Sequence, residues 1–196
     1  MTLTNNTQLY SDPAVAGLAG FGLSSLLLQF FNLGWIDEGP AIYIGAIFGG
    51  FVQLIAGFQF LRLRDNFGYA VFISYGAFWI TLPLILVSNH FGLFVSTSND
   101  IAVLISCWAL LSILFTIVAA QKNLALFLLF ACVVLGMVTS VLGNKGIAIA
   151  STISAILFIG AALVAWYIML SNLLKEQIGR DVLPLGRGVF QLDKKE

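Results

Sequence analysis

Six stretches of this chain, 13–33, 41–61, 66–89, 101–121, 123–144 and 146–174, contain no Asp, Glu, Lys, Arg or His. About 20 consecutive apolar residues are enough for an α-helix to cross the hydrocarbon core of a bilayer. Transmembrane strands would instead show segments of about 10 residues that alternate in polarity, whereas runs such as LALFLLFACVVLGMV are apolar on every face. Composition agrees: 60% of the 196 residues are hydrophobic and 9% are charged, against about 25% charged in soluble domains. The expected fold is an all-α integral membrane protein with six transmembrane helices. A short segment at 1–12, a membrane domain at 13–174 and a charge-dense tail at 175–196 complete the chain.

Between the helices remain 34–40, 62–65, 90–100, Lys122 and Lys145, too little for a soluble domain. Residues 1–12 carry no Lys or Arg, unlike the basic start of a secretory signal. Six spans put both termini on the side that holds Arg62, Arg64, Lys122, Lys175, Arg180, Arg187, Lys194 and Lys195; Lys145 alone lies opposite, with Asp37, Glu38 and Asp100. Lys and Arg are retained in the cytoplasm, so both termini are expected there, in a multi-pass protein of the cell (inner) membrane. Tyr69, Trp166 and Tyr167 then fall near the inner interface, Trp35 and Tyr43 near the outer.

Nine basic and nine acidic residues cancel, which leaves no electrostatic footprint for nucleic acid. There is no phosphate-binding loop, no Cys/His ligand cluster and no nucleophile beside a His and an acid. His90, the sole histidine, lies at a span end, where a wetted rim residue is the plainer reading than a metal ligand. Cys107 and Cys132 fall within spans and read as small packers. No catalytic residue, cofactor or metal is expected, which leaves transport or scaffolding.

Polar side chains within lipid face a cavity or a neighbouring helix. Ser and Thr commonly bond back to their own helix, so Ser24, Ser25, Thr81, Thr139, Ser140, Ser151, Thr152 and Ser154 carry a bland reading. Gln and Asn are costlier to desolvate, and Gln29, Asn32, Gln53 and Gln59 are the better pore candidates. No intramembrane carboxylate or His offers a proton relay; an uncharged lining suits a small solute of low charge, and any cotransported proton can ride on the solute. Glycines at GFGLSS, at Gly45, Gly49 and Gly50, and at GAALVA permit close helix contact, within one protomer or between protomers.

The segment from Asp12 and Pro13 through Gly17, Leu18, Gly20, Phe21 and Gly22 resembles the signature that opens the first helix of the acetate uptake transporter family, Asn-Pro-Ala-Pro-Leu-Gly-Leu followed by Gly-Phe-Gly. Further matches follow in order: Phe48-Gly49-Gly50 with Gln53 and Ala56-Gly57; Ser74-Tyr75-Gly76 with Phe78-Trp79; and Glu176-Gln177, Gly179-Arg180 and Val182-Leu183-Pro184. The resemblance implies a bundle similar to urea and amide channels, a homohexamer in the lipid bilayer, and passage of acetate through each protomer. It also implies a narrow point at Phe21, Tyr75 and Val133; Gln29, Asn32, Gln53, Ser74 and Asn144, polar within the spans, are the expected polar residues of the path. Those three lie eight, nine and ten residues beyond Pro13, Asn66 and Asn123; at 1.5 Å per residue their depths are roughly 12 to 15 Å, within one turn of each other.

Departures accompany the match. Asp12 stands for the signature Asn and keeps the capping role while adding a charge; Val15 and Ala16 stand for Pro and Leu. Phe60 stands where many relatives carry Glu, and Val133 where Leu is common, which would widen the ring. The expected function is uptake of acetate, with succinate as a second solute, by symport with protons or by passive conduction. A urea or short-amide channel and a non-transporting scaffold are the other readings.

Overall fold

The computed structural model describes residues 11–190. It is helical throughout, with α1 (Pro13–Asn32), α2 (Glu38–Ile44), a π-helical segment (Gly45–Val52), α3 (Gln53–Arg62), α4 (Asn66–His90), α5 (Ser98–Lys122), α6 (Leu124–Asn144) and α7 (Ala148–Ile178). Since α2, the π segment and α3 run on as one span, six helices are long and apolar enough to cross a membrane. The chain is a multi-pass membrane protein. The π segment was not legible in the apolar pattern.

Local chemistry sets the helix ends. Asp12 accepts the Ala14 N–H at 2.9 Å, with Pro13 as first residue of α1; Asp65 accepts from Phe67 and Gly68, both at 3.0 Å; Asn123 accepts from Leu126 at 2.8 Å. Thr97 and Asp100 form a reciprocal capping box on α5. α7 continues past the apolar run to Ile178, because Lys175 and Glu176 are good helix formers in water, and it stops at Gly179, whose φ of 75° is left-handed.

The spans follow one another around a ring: α5 packs on α6, α6 on α7, α7 on α1, α1 on the π segment and α3, and these on α4. Ring closure between α4 and α5 is sparse. Of the glycines expected to permit close contact, those of α1 and the π segment are used within the chain, whereas Gly160 of GAALVA is not. A methyl group on Gly20 would collide with the Phe48 carbonyl oxygen, one on Gly17 with Phe72, and one on Gly22 with Trp166; on Gly49 it would lie 2.6 Å from Ser24 Oγ and 2.8 Å from Trp79 Cγ. Ser24 donates to the Ile44 carbonyl at 3.1 Å where the π segment begins. Trp166, expected at an interface, donates to the Ala19 carbonyl at 3.4 Å against the Gly22 contact.

Beyond Gly179 the chain folds back across the ends of α5, α6 and α7. Tyr167 Oη donates to the Pro184 carbonyl at 2.8 Å and Ser171 Oγ to that of Leu183 at 3.0 Å.

Gly20→Ala is expected to lower folded yield and to cost about 1 to 3 kcal/mol, the range for overpacking, because a main-chain oxygen cannot rotate away. Gly160→Ala, with nothing of its own chain within 4 Å, is the control expected to hold wild-type melting temperature in detergent.

Candidate functional site

Each apolar span has to bury its polar atoms on the inside of the ring, and two cavities collect them. One, of about 360 Å³, opens toward the ends of α1, α4 and α6 where Asn32 and Asn144 lie; Ser25, Gln29, Trp79, Met137, Ser140 and Ser154 also line it. The other, of about 300 Å³, opens toward the end rich in Lys and Arg and is lined by Asp12, Leu18, Gln53, Phe60, Asp65, Lys122, Phe130, Asn172 and Leu185 among others. We call these the far-end and basic-end cavities. Among the described residues, the only ones on both linings are Phe21 and Tyr75.

Phe21 and Tyr75 meet edge to face, with ring centroids 6.0 Å apart at 86°. Tyr75 also touches the rings of Phe130 at 6.1 Å and Phe115 at 6.4 Å. Such contacts favour edge-on geometry because a ring's positive rim meets its neighbour's negative face. Val133 has no exposed surface and lines neither cavity. It stands between Phe130, three residues before it and facing the basic-end cavity, and Met137, four residues after it and facing the far-end cavity; all three share one stripe of α6. Phe130 and Met137 escaped the sequence reading, although their spacing from Val133 was the signal that would have found them.

Tyr75 Oη lies 2.7 Å from Ser112 Oγ. Ser112 donates its one proton to the Trp108 carbonyl at 2.7 Å, and a carbonyl only accepts, so Tyr75 is the donor to Ser112. The Tyr75 proton is therefore spent on α5 rather than offered to the lumen.

Other polar groups in the cavities have no partner. Ser25 Oγ, Trp79 Nε1 and Gln53 Oε1 are buried and unbonded, the first two in the far-end cavity and the third in the basic-end cavity. An unmet buried group of this kind costs about 1 to 3 kcal/mol. Trp79 belonged to the expected match but was not recognised as a donor to the path. Gln29 accepts from Asn32 Nδ2 at 3.0 Å, and Asn144 Nδ2 donates to the Ser140 carbonyl at 2.9 Å. Ser74 is half-buried and lines neither cavity.

Charge appears only at the mouth of the basic-end cavity. Lys122 sits 3.8 Å from Asp65 and 4.7 Å from the centroid of the Phe67 ring. Asp12, the signature position, spends both oxygens at once: one caps α1, the other accepts Asn172 Nδ2 at 2.7 Å and so ties α1 to α7. Gly17 and Leu18 of the same signature are buried, Gly17 under Phe72 and Leu18 on the cavity wall. Phe60 stacks on Phe72 at 5.4 Å with an interplanar angle of 2°, so the place of the missing acid is filled by an aromatic pair. Among the described residues no cluster of three or more His, Cys, Asp or Glu could hold a metal ion.

The profile of the GPR1/FUN34/yaaH family matches residues 2–184. The chain is 33% identical over 192 residues to the succinate-acetate/proton symporter SatP of Escherichia coli, covering 92% of this chain and 97% of that protein. It is 28% identical over 134 residues to acetate permease A of Emericella nidulans, covering 62% of this chain and 45% of that protein. A solved structure of the bacterial acetate channel SatP superposes with a TM-score of 0.87 at 28% identity, covering 90% of this chain and 99% of that one. With a six-span ring and a profile match over most of its length, the chain belongs to the GPR1/FUN34/yaaH family.

Proposed function

We propose that the chain conducts acetate, and succinate as a larger second solute, through the two cavities, with Phe21, Tyr75 and Val133 as the barrier between them. The observation that carries this reading is that two polar-lined cavities enter from opposite ends and, among the described residues, share only Phe21 and Tyr75. The names of the relatives point to the same solutes.

The chemistry of the lining favours a small carboxylate. Ser25 and Trp79 present O–H and N–H groups without a partner in the protein, and a carboxyl oxygen is an acceptor for both. At the barrier there are only rings, Val133 and the spent Tyr75 hydroxyl, so a hydrated ion loses its shell with nothing to replace it. Protonated acetic acid meets a lower cost. No Asp, Glu or His lies at the barrier, so a cotransported proton travels on the solute. Gln29, Asn32, Gln53 and Asn144 line the approaches; Ser74, on another face of α4 from Tyr75, lines neither cavity. Nothing in the reading requires catalysis, a cofactor or a metal.

The test is flux into proteoliposomes of acetate, succinate and urea, with and without an imposed pH gradient. Acetate flux above that of urea, enhanced when the source side is acid, is expected; urea flux above acetate flux overturns the reading. A chain that moves none of the three would be a scaffold.

We further propose that the Lys- and Arg-rich end faces the cytoplasm, that the membrane is the cell membrane, and that six protomers assemble. The first rests on Arg62, Arg64, Lys122, Lys175, Arg180 and Arg187 at one end against Lys145 at the other; the last rests on resemblance alone, since the glycine faces of α1 and the π segment are used internally.

Five outcomes are expected. Phe21→Ala raises succinate flux relative to acetate several-fold and Val133→Phe lowers acetate flux, whereas ordinary core residues would lose about 2 to 5 kcal/mol of stability on truncation with the solute ratio unchanged. Ser25→Ala lowers acetate flux while leaving the melting temperature equal or higher, because deleting an unpartnered hydroxyl removes a cost of about 1 to 3 kcal/mol. In detergent the mass is that of six copies, and a cysteine at Gln191, which lies outside the described residues, reacts with an impermeant reagent only after cells are opened.

A further inference from the structure

Residues 179–190 are built into the wall of the basic-end cavity. Helix α6 begins at Leu124, so the Ala125 N–H has no partner within its own helix; it donates to the Leu185 carbonyl at 2.9 Å. The Ala120 carbonyl, in the last turn of α5, is likewise an orphan; it accepts the Val189 N–H at 2.6 Å. Residues 179–190 thus cap two helix ends at the α5–α6 corner. On the other side Tyr167 and Ser171 of α7 donate to the carbonyls of Pro184 and Leu183 at 2.8 and 3.0 Å. Between these two sets of bonds the Leu185 side chain packs against the core and lines the cavity.

Two glycines make the fit possible. Gly186 has φ of 76°, and a Cβ there would lie 2.7 Å from Leu124 Cβ; at Gly188 it would lie 2.6 Å from the Gln121 carbonyl oxygen. Side chains at either position would lift the strap from the corner.

We propose that this strap is a fixed wall of the conduction path and that Leu185 determines how large a solute the basic-end cavity admits. The inference rests on the reading of the two cavities as a carboxylate path. It differs from that reading in placing size selection at a second point, at the Lys- and Arg-rich end of this cavity rather than at Phe21, where the two cavities meet. Leu185 lines the same cavity as Asp12, Lys122 and Asn172, so a solute crossing this mouth passes an apolar side chain on one flank and polar ones on the others. An unanchored tail would leave that flank open.

The test uses the full-length assembled protein in a Cys107→Ser, Cys132→Ser background, with Leu126→Cys as reporter on the basic-end lining. Thiol labelling by a bulky hydrophilic maleimide is measured in detergent, and acetate and succinate fluxes in proteoliposomes. Leu185→Ala and Gly188→Ala are each expected to speed labelling by about tenfold, equivalent to ~1.4 kcal/mol, and to raise succinate flux relative to acetate. Leu185→Trp is expected to slow labelling and to lower that ratio. If all three assemble with labelling rates and flux ratios equal to the parent, the strap is no part of the path and the inference is overturned. Altered labelling in a parent that carries no acetate supports the strap as cavity wall while removing the carboxylate reading, so the two failures are distinct.

Discussion

The hydrogen bond from Tyr75 to Ser112 closes a ring that backbone packing leaves nearly open. Every other pair of neighbouring spans meets along broad helix faces, but α4 and α5 touch sparsely. Tyr75 Oη reaches Ser112 Oγ at 2.7 Å, and the Phe78 and Trp108 rings meet at 5.5 Å across the same seam. In a low-dielectric interior such a bond is stronger than in water and its loss leaves a buried donor unmet. Tyr75 bonds across this seam and also faces Phe21, so one side chain joins ring closure to the contact between the two cavities.

That arrangement places uncharged side chains where the two cavities meet. Aromatic contacts run from Phe21 through Tyr75 to Phe115, Phe130 and Phe67, and Val133 fills the α6 side with no exposed surface. The unpartnered polar atoms lie to either side of these rings: Ser25 Oγ and Trp79 Nε1 in the far-end cavity, Gln53 Oε1 in the basic-end cavity. The charged residues keep to the mouth. Asp65 and Lys122 face each other there, and Asp12 is held by the α1 backbone and Asn172.

Backbone accounting governs the ends of the bundle as packing governs its middle. The chain meets the orphan groups at the helix ends with Asp12, Asp65, Thr97 and Asn123 side chains and, at the α5–α6 corner, with the backbone of the returning segment. A turn as short as the one between Lys122 and Leu124 leaves little room for other caps. A segment some 60 residues further along the chain supplies them.

The number of spans, their limits to within a few residues, the Asp12–Pro13 start of α1 and the candidacy of Phe21 and Tyr75 were legible in the amino-acid sequence. Apolar length, caps and motif spacing are local properties, and lipid forces any long apolar run into a helix. The tertiary structure alone decided which face of each helix looks inward. The spans are apolar nearly all round, so no amphipathic stripe marks the lumen; for that reason Ser74 and Tyr75, adjacent in the chain, part company, and Val133 is flanked by Phe130 and Met137 on the two linings. It likewise decided that Gly17, Gly20 and Gly49 are filled by Phe72, Phe48 and Trp79 of the same chain, that Gly45–Val52 winds as a π-helix, and that Leu185 returns to the cavity. Each of these depends on which distant residues arrive beside a given side chain, and spacing along the chain carries no record of that.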